Sequence, residues 1–270
     1  MILFPNCKIN LGLHILHKRS DGYHDLETVF CPVPLRDALE VVTGSNGVEL
    51  SLTGIPVAGD AADNLCVKAY ALLKQDFPEL PSVVVHLHKV IPSGAGLGGG
   101  SADGAFMLRL LNEKFQLGIS IEQLLQYALE LGSDCPFFIL NKPALANGRG
   151  ERLQPVDLDL SAWSFMLVHP GVHINTGWAF SQITPTVSAQ SIQEILQQPI
   201  TSWPSLLIND FEAPVCQHYP ALQQIKENLY AAGALYASMT GSGSCFYGIF
   251  PKHQVPSIVW PTTYKVYVLK

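Results

Sequence analysis

The chain has 270 residues, 48% of them apolar and 14% charged, with a formal net charge of −6. That composition excludes a disordered chain, and the length allows a substantial core in one large domain or two modest ones. No run of Lys or Arg exceeds two residues, which argues against nucleic acid or an anionic membrane surface as partner and leaves a single anionic metabolite gripped by local donors. No uncharged apolar stretch approaches the ~20 residues needed to span a bilayer. The opening MILFPNCKINLGLH has no basic region, long apolar core or small-residue cleavage site, so a cytoplasmic location is expected. The cysteines at 7, 31, 66, 135, 216 and 245 form no CxxC pair, which argues against a thiolate zinc site and for reduced thiols.

Residues 7–15 and 26–34 are β-like, separated by a Ser-Asp-Gly turn at 20–22, and 40–42 and 48–52 continue the strands around glycines 44 and 47. Residues 63–75 fit a helix with Leu65, Ala69, Leu72 and Leu73 on one side, and 82–88 alternates as a strand. A helix-like run follows over 102–115. Ser120 and Gln123 suit a capping box for a helix over 120–131 that Gly132 can close. In GSDCPFF at 132–138, Pro136 favours a short turn into a strand, and 143–150 reads as a loop. Residues 165–168 form a strand, the Ser/Thr/Gln/Pro-rich stretch 175–205 is a candidate boundary or mobile segment with one short helix at 189–198, and 220–232 is helical. Strand-like runs at 245–250 and 264–269 close the chain. This mixed order points to an α+β protein in two lobes rather than a doubly wound parallel sheet.

Between the strand at 82–88 and the helix at 102–115 lies PSGAGLGGGSADGA, residues 92–105, with glycines at 94, 96, 98, 99 and 100. A backbone without side chains can close its N–H groups around an anion, and a helix start behind it adds aligned donors, so phosphate is the expected ligand. Gly94, Gly96 and Gly99 satisfy GxGxxG, but the nearest acidic residue about 20 positions on is Glu122, inside an expected helix. The GK[ST] ending of a Walker loop is absent, because Ser101, Ala102 and Asp103 follow the glycines, and no HRD or DFG signature exists. A nucleotide held here is held in some other fold.

Three segments, PNCKINLGLHILHKRSDGYHDLETVF at 5–30, PSGAGLGGGSADGA at 92–105 and MTGSGSCFYGIF at 239–250, supported by GSDCPFF and by NDFE at 209–212, carry a resemblance. The chain resembles the family of small-molecule kinases that includes galactokinase, homoserine kinase, mevalonate kinase and phosphomevalonate kinase. The resemblance implies an α+β, two-lobed fold: an N-terminal lobe of the ribosomal protein S5 domain 2-like type at about 1–160, and a ferredoxin-like C-terminal lobe at 161–270. It implies an ATP-dependent kinase with an alcohol acceptor, Mg2+ accompanying the ATP, and a monomer or homodimer. The alternatives are a relative acting on mevalonate, homoserine or a sugar, or a nucleotide-binding protein without catalysis.

By the same resemblance Asp134 is the base that accepts the acceptor hydroxyl's proton and Lys8 the supporting cation. Taken alone, Asp134 reads as a turn or cap residue and Lys8 as a solvated strand lysine. Pro92, Ser93, Gly94, Ala95, Gly96, Leu97, Gly98, Gly99, Gly100, Ser101 and Ala102 would wrap the nucleotide, with Lys89 near phosphate. Tyr23 and Phe180 would flank a cytosine ring and His24 would hydrogen-bond its edge, so the small-molecule substrate carries cytidine diphosphate. Asn10, Thr176, Thr240 and Gly241 would complete the substrate wall; Trp178 rivals Phe180 for the stacking role. Asp103 either caps the helix or helps hold magnesium, and no residue is assigned as a metal ligand.

Overall fold

In a computed structural model that describes residues 1–186 and 190–269, the described residues form twelve strands and nine α-helices. The first half runs β1 (Ile2–Leu3), β2 (Asn6–Lys18), β3 (His24–Arg36), β4 (Ala38–Thr43), β5 (Val48–Gly54), α1 (Leu65–Asp76), β6 (Val83–Lys89), α2 (Gly99–Phe115), α3 (Ile121–Leu131) and α4 (Cys135–Leu140). The second runs β7 (Ala144–Gly148), β8 (Arg152–Pro155), β9 (Trp163–His169), α5 (Thr176–Ser181), α6 (Ile192–Leu196), α7 (Trp203–Leu206), α8 (Glu212–His218), α9 (Pro220–Ala231), β10 (Tyr236–Met239), β11 (Phe246–Pro251) and β12 (Lys265–Leu269). Contacts divide the chain into two units, each discontinuous in sequence. One is Met1–Cys7, Pro34–Ser93 and Gly98–Lys142; the other is Lys8–Val33, Gly94–Leu97 and Pro143–Lys270.

In the first unit a sheet of order β1-β4-β6-β5 is antiparallel except for the parallel β5–β6 pair. Val83, Val85 and Leu87 are buried while His86 and His88 face solvent, the period of two that a sheet covered on one side requires. Asn64 caps α1 by accepting from the Cys66 amide, and its buried face runs Cys66, Ala69, Tyr70 and Leu73, slightly rotated from the expected one. On α2, a Cβ at Gly104 would stand 2.8 Å from Leu65 Cβ, so glycine lets α1 and α2 pack closely. The capping box of α3 forms as its residues dictate, Gln123 N donating to Ser120 Oγ and Ser120 N to Gln123 Oε1.

Two expectations fail here and in the neighbouring strand. Pro136 does not break into a strand; it sits in the first turn of α4, where its missing N–H has no helical partner to lose. Residues 144–148 are not a loop but β7, pairing with β3 (Thr28 opposite Ala146). The buried positions of β7 are Ala144, Ala146 and Gly148, too small to produce a hydrophobic alternation signal.

The second unit holds a sheet of order β2-β3-β7-β8 and another of order β10-β11-β9-β12. The latter is antiparallel throughout and has the strand order of a ferredoxin-like sheet, although residues 252–264, which link β11 to β12, carry no helix. Leu222, Ile225 and Leu229 of α9 pack with Met166, Val168, Met239, Phe246 and Phe250 of this sheet, each such burial contributing ~1.5–3 kcal/mol. Between 175 and 205 the chain forms α5, α6 and part of α7; Ala189, the first residue of the expected 189–198 helix, lies outside the described residues. All six cysteines are buried thiols. Among the described residues no helix is long and apolar enough to cross a membrane.

Candidate active site

The glycine loop is built on positive φ. Gly94, Gly96 and Gly98 have φ of 65°, 77° and 69°, a region that side-chain-bearing residues enter at a cost of ~1–2 kcal/mol. Gly96 also lies against a second loop: a Cβ there would stand 2.0 Å from the carbonyl oxygen of Thr240, and one at Gly241 would stand 3.0 Å from Gly96 Cα. Gly98 is the N-cap of α2, and no side chain caps that helix, so its first amides are presented together with the positive end of a 17-residue helix dipole. Ser93, Gly94 and Gly100 are exposed, whereas Pro92, Ala95, Leu97 and Ala102 anchor the loop in the interior. A glycine cradle leading into an uncapped helix start fits a nucleotide's phosphates.

Lys8 and Asn10 are neighbours on one face of β2, two residues apart. The Lys8 ammonium donates to Asn10 Oδ1 at 2.6 Å and lies 4.9 Å from the centroid of the Phe30 ring. Asn10 Oδ1 also accepts from the Gly241 amide at 2.9 Å, and Asn10 N donates to Thr240 Oγ1 at 3.1 Å. The Thr240 hydroxyl reaches both Asn10 Oδ1 (3.2 Å) and Gly96 O (3.1 Å). Asn10 Nδ2 donates to Thr28 Oγ1, which donates to Gly12 O, and Tyr247 donates its phenol to Asn10 O. One amide side chain, only 2% exposed, therefore ties the lysine to both glycine loops. Asn209 fixes the second loop from below, donating to Met239 O and Gly241 O while accepting from Phe211 N. The solvated reading of Lys8 is corrected: it is buried.

Asp134 is half-buried at the head of α4, in the first unit, with φ −83° and ψ −16°, and its side chain makes no capping hydrogen bond. The cap reading thus has no support. Lys89, at the end of β6, is buried rather than solvent-facing; its ammonium donates to Asp37 and, at 2.6 Å, to Asp103 Oδ2. Asp103 does not cap α2 either: the helix starts four residues earlier, and the carboxylate is spent on Lys89.

Tyr23 and His24 follow a hairpin tip held by ions. Arg19 donates to Asp21 (2.8 Å from Nη2) and to Asp25 (2.9 Å), Arg19 N donates to Tyr23 O, and Tyr23 N donates to Asp21 Oδ1. Tyr23 is 53% exposed, with the Arg149 guanidinium 4.7 Å above its ring. His24 stacks on Phe180, centroids 4.7 Å apart and planes 15° from parallel, and Phe180 meets Phe211 edge to face. Trp178 instead contacts His218 and Tyr219. Burial, then the Lys18 charge, hold His24 below the usual imidazole range, so at neutral pH it offers one donor and one acceptor nitrogen. Thr176, at the start of α5, shares a 3.1 Å hydrogen bond with Ser242 of the second glycine loop. The sequence singles out none of Asp37, Asn209, Tyr247 and Arg149; Asn209 lies within the NDFE segment and Tyr247 within MTGSGSCFYGIF. Among the described residues no group of three or more His, Cys, Asp or Glu side chains could hold a metal ion.

The model for the GHMP kinases N-terminal domain matches residues 64–142 and that for the GHMP kinases C-terminal domain matches 192–260. The 4-diphosphocytidyl-2-C-methyl-D-erythritol kinase of Bacteroides fragilis is 52% identical over 93% of this chain and 92% of its own length. That of Bacteroides thetaiotaomicron is 50% identical over 97% of both. A crystal structure of 4-(cytidine 5′-diphospho)-2C-methyl-D-erythritol kinase superposes with a TM-score of 0.81 at 32% identity, covering 92% of this chain and 90% of that one. A mevalonate kinase structure, 11% identical over 99% of this chain and 98% of its own, shares the fold with a TM-score of 0.72. With two domain models along its length, and half its residues shared with relatives matched almost end to end, the chain belongs to the GHMP kinases, in the branch of the 4-diphosphocytidyl-2-C-methyl-D-erythritol kinases.

Proposed function

We propose that this chain is an ATP-dependent kinase that phosphorylates the 2-hydroxyl of 4-(cytidine 5′-diphospho)-2-C-methyl-D-erythritol, releasing ADP and the 2-phosphate in the non-mevalonate route to isoprenoid precursors. The observation that carries the reading is the Asn10 hub, which holds the Lys8 ammonium and joins it to both glycine loops. Relatives matched over more than nine-tenths of their length carry the name of this activity, which favours it over a mevalonate, homoserine or sugar kinase.

In this reading residues 1–160 form the N-terminal kinase domain with the ATP loop, 161–270 the C-terminal one, and the enzyme works in the cytoplasm as a monomer or homodimer. ATP, with Mg2+ neutralising its phosphates, supplies the phosphoryl group. Amides along residues 94–102 receive the phosphates, and Asp134 orients the acceptor hydroxyl and takes its proton. Lys8, held in place by Asn10, offsets charge near the reacting oxygen. The ion's partners would be chiefly phosphate oxygens and water, as is common for Mg2+. Tyr23 and Phe180 take the faces of the cytosine and neutral His24 its edge.

Purified protein given ATP and the cytidine diphosphate substrate should form ADP; a flat trace beside a working control enzyme defeats the assignment. Phe180→Ala should raise KM for that substrate roughly tenfold, since one base–aromatic stack contributes ~1–3 kcal/mol. Trp178→Ala should leave it unchanged, and the reverse pattern would hand the stacking role to Trp178.

A further inference from the structure

The buried ions beside the nucleotide loop are not used by the chemistry above. Asp37, which directly precedes β4, accepts from Val90 N at 2.5 Å and Ile91 N at 2.8 Å through Oδ1, and from the Lys89 ammonium through Oδ2. Lys89 reaches on to Asp103 in α2. Ile91 in turn packs where Gly99 has no side chain: a Cβ there would stand 2.7 Å from Ile91 Cγ2. The segment entering the loop, 89–91, and the helix leaving it, 99–103, are thus joined through one cation between two carboxylates. We propose that Asp37, Lys89 and Asp103 are a staple for the nucleotide loop, with Asp103 a positioning residue that sets ATP affinity. This rests on the ATP-kinase reading.

The charges support the assignment. Two carboxylates around one ammonium leave an excess negative charge, buried next to residues meant to receive phosphate, and Asp103 Oδ1 accepts no hydrogen bond among the described residues. An uncompensated buried charge is expelled by binding a proton. Burial raises the Asp103 pKa to about 8, with Lys89 opposing and Asp37 adding to the rise through its charge and a shared hydrogen bond. Burial pulls Lys89 down, but its two carboxylates outweigh that and raise it, keeping it charged. The titratable groups facing Asp103 are Lys89 from β6, Asp37 ahead of β4 and the Cys66 thiol of α1, which burial keeps neutral. At pH 7 Asp103 is therefore the protonated partner; as pH rises through its pKa, negative charge appears beside the loop and opposes ATP.

The test is steady-state kinetics of wild type, Asp103→Ala and Asp103→Asn from pH 6.5 to 9, with melting curves on each. Asp103→Ala should raise KM for ATP about tenfold, with kcat within about twofold and KM for the cytidine substrate unchanged. Asn can accept from Lys89 and donate to Asp37 as the protonated acid does, so Asp103→Asn should restore KM at pH 7. It should also lack the wild type's rise in KM for ATP above pH 8. A folded Asp103→Ala with wild-type KM for ATP overturns the staple, as does an Asp103→Asn variant that is as impaired as the alanine or keeps the alkaline rise. If Asp103→Ala does not fold, the pH profile of the Asn variant decides alone. If the wild type forms no ADP, the kinase reading has failed, and calorimetric ATP affinities of the same proteins judge the staple separately.

Discussion

Asp134→Ala is expected to lower kcat by on the order of 10³-fold, within the range by which positioned acids and bases accelerate proton transfer, while ATP affinity and melting temperature stay close to wild type. The start of α4 does not use this carboxylate as a cap. Asp134 makes no capping hydrogen bond there, and Pro136 in the first turn has no amide for a cap to serve. Loss of turnover without loss of fold is the signature of a base. Asp134→Asn, which keeps the shape and removes the basic oxygen, should fall nearly as far. Single-turnover kinetics with calorimetric ATP binding separate the two quantities, and near-normal turnover in either variant would take the proton-accepting role away from Asp134.

Gly96→Ala is expected to cut kcat/KM for ATP on the order of 10²-fold, the scale of loss when a site is displaced by about 1 Å. Two independent objections meet at this residue. Its φ of 77° disfavours any Cβ, and the new carbon would lie 2.0 Å from Thr240 O and 2.8 Å from Thr240 C. Backbone cannot rotate away as a side chain can. Thr240 is also fixed by its amide, which donates to Cys245 O at 2.9 Å, and by Asn10 N on its hydroxyl. The loops must separate, which strains the Thr240–Asn10 link and with it the seat of Lys8. Gly47→Ala is the control: it has φ of 63° but nothing within 4 Å of its Cβ position, so it should lose ~1 kcal/mol of stability with kinetics unchanged. Equal kinetic behaviour of the two variants would show that close approach of the loops is irrelevant.

Much of the site was legible because its signals are local. The glycines of 92–100 announce a bare backbone, Ser120 and Gln123 announce a helix start three residues apart, and Val83, Val85 and Leu87 announce a buried strand face. Each depends on neighbours within a turn or a strand repeat. The α4 helix is not legible locally for the opposite reason: whether a proline opens a helix or ends one depends on where the chain goes next, and here the burial of Phe137 and Phe138 carries the helix forward.

The order of residues by itself determined a mixed α+β chain in two lobes with a bare glycine loop suited to an anion, and its resemblance to the small-molecule kinases marked Lys8, Asp134, Tyr23 and His24 as candidate chemical groups. Only the tertiary structure decided that Asn10, two residues on from Lys8 in β2, ties it to Thr240 and Gly241; that Phe180 rather than Trp178 meets His24; and that Lys89 is locked between Asp37 and Asp103. The longest of those pairings, Asn10 with Gly241, joins residues 231 positions apart. A contact of that span depends on how the strands and helices close on one another, and no stretch of neighbouring residues encodes that closure by itself.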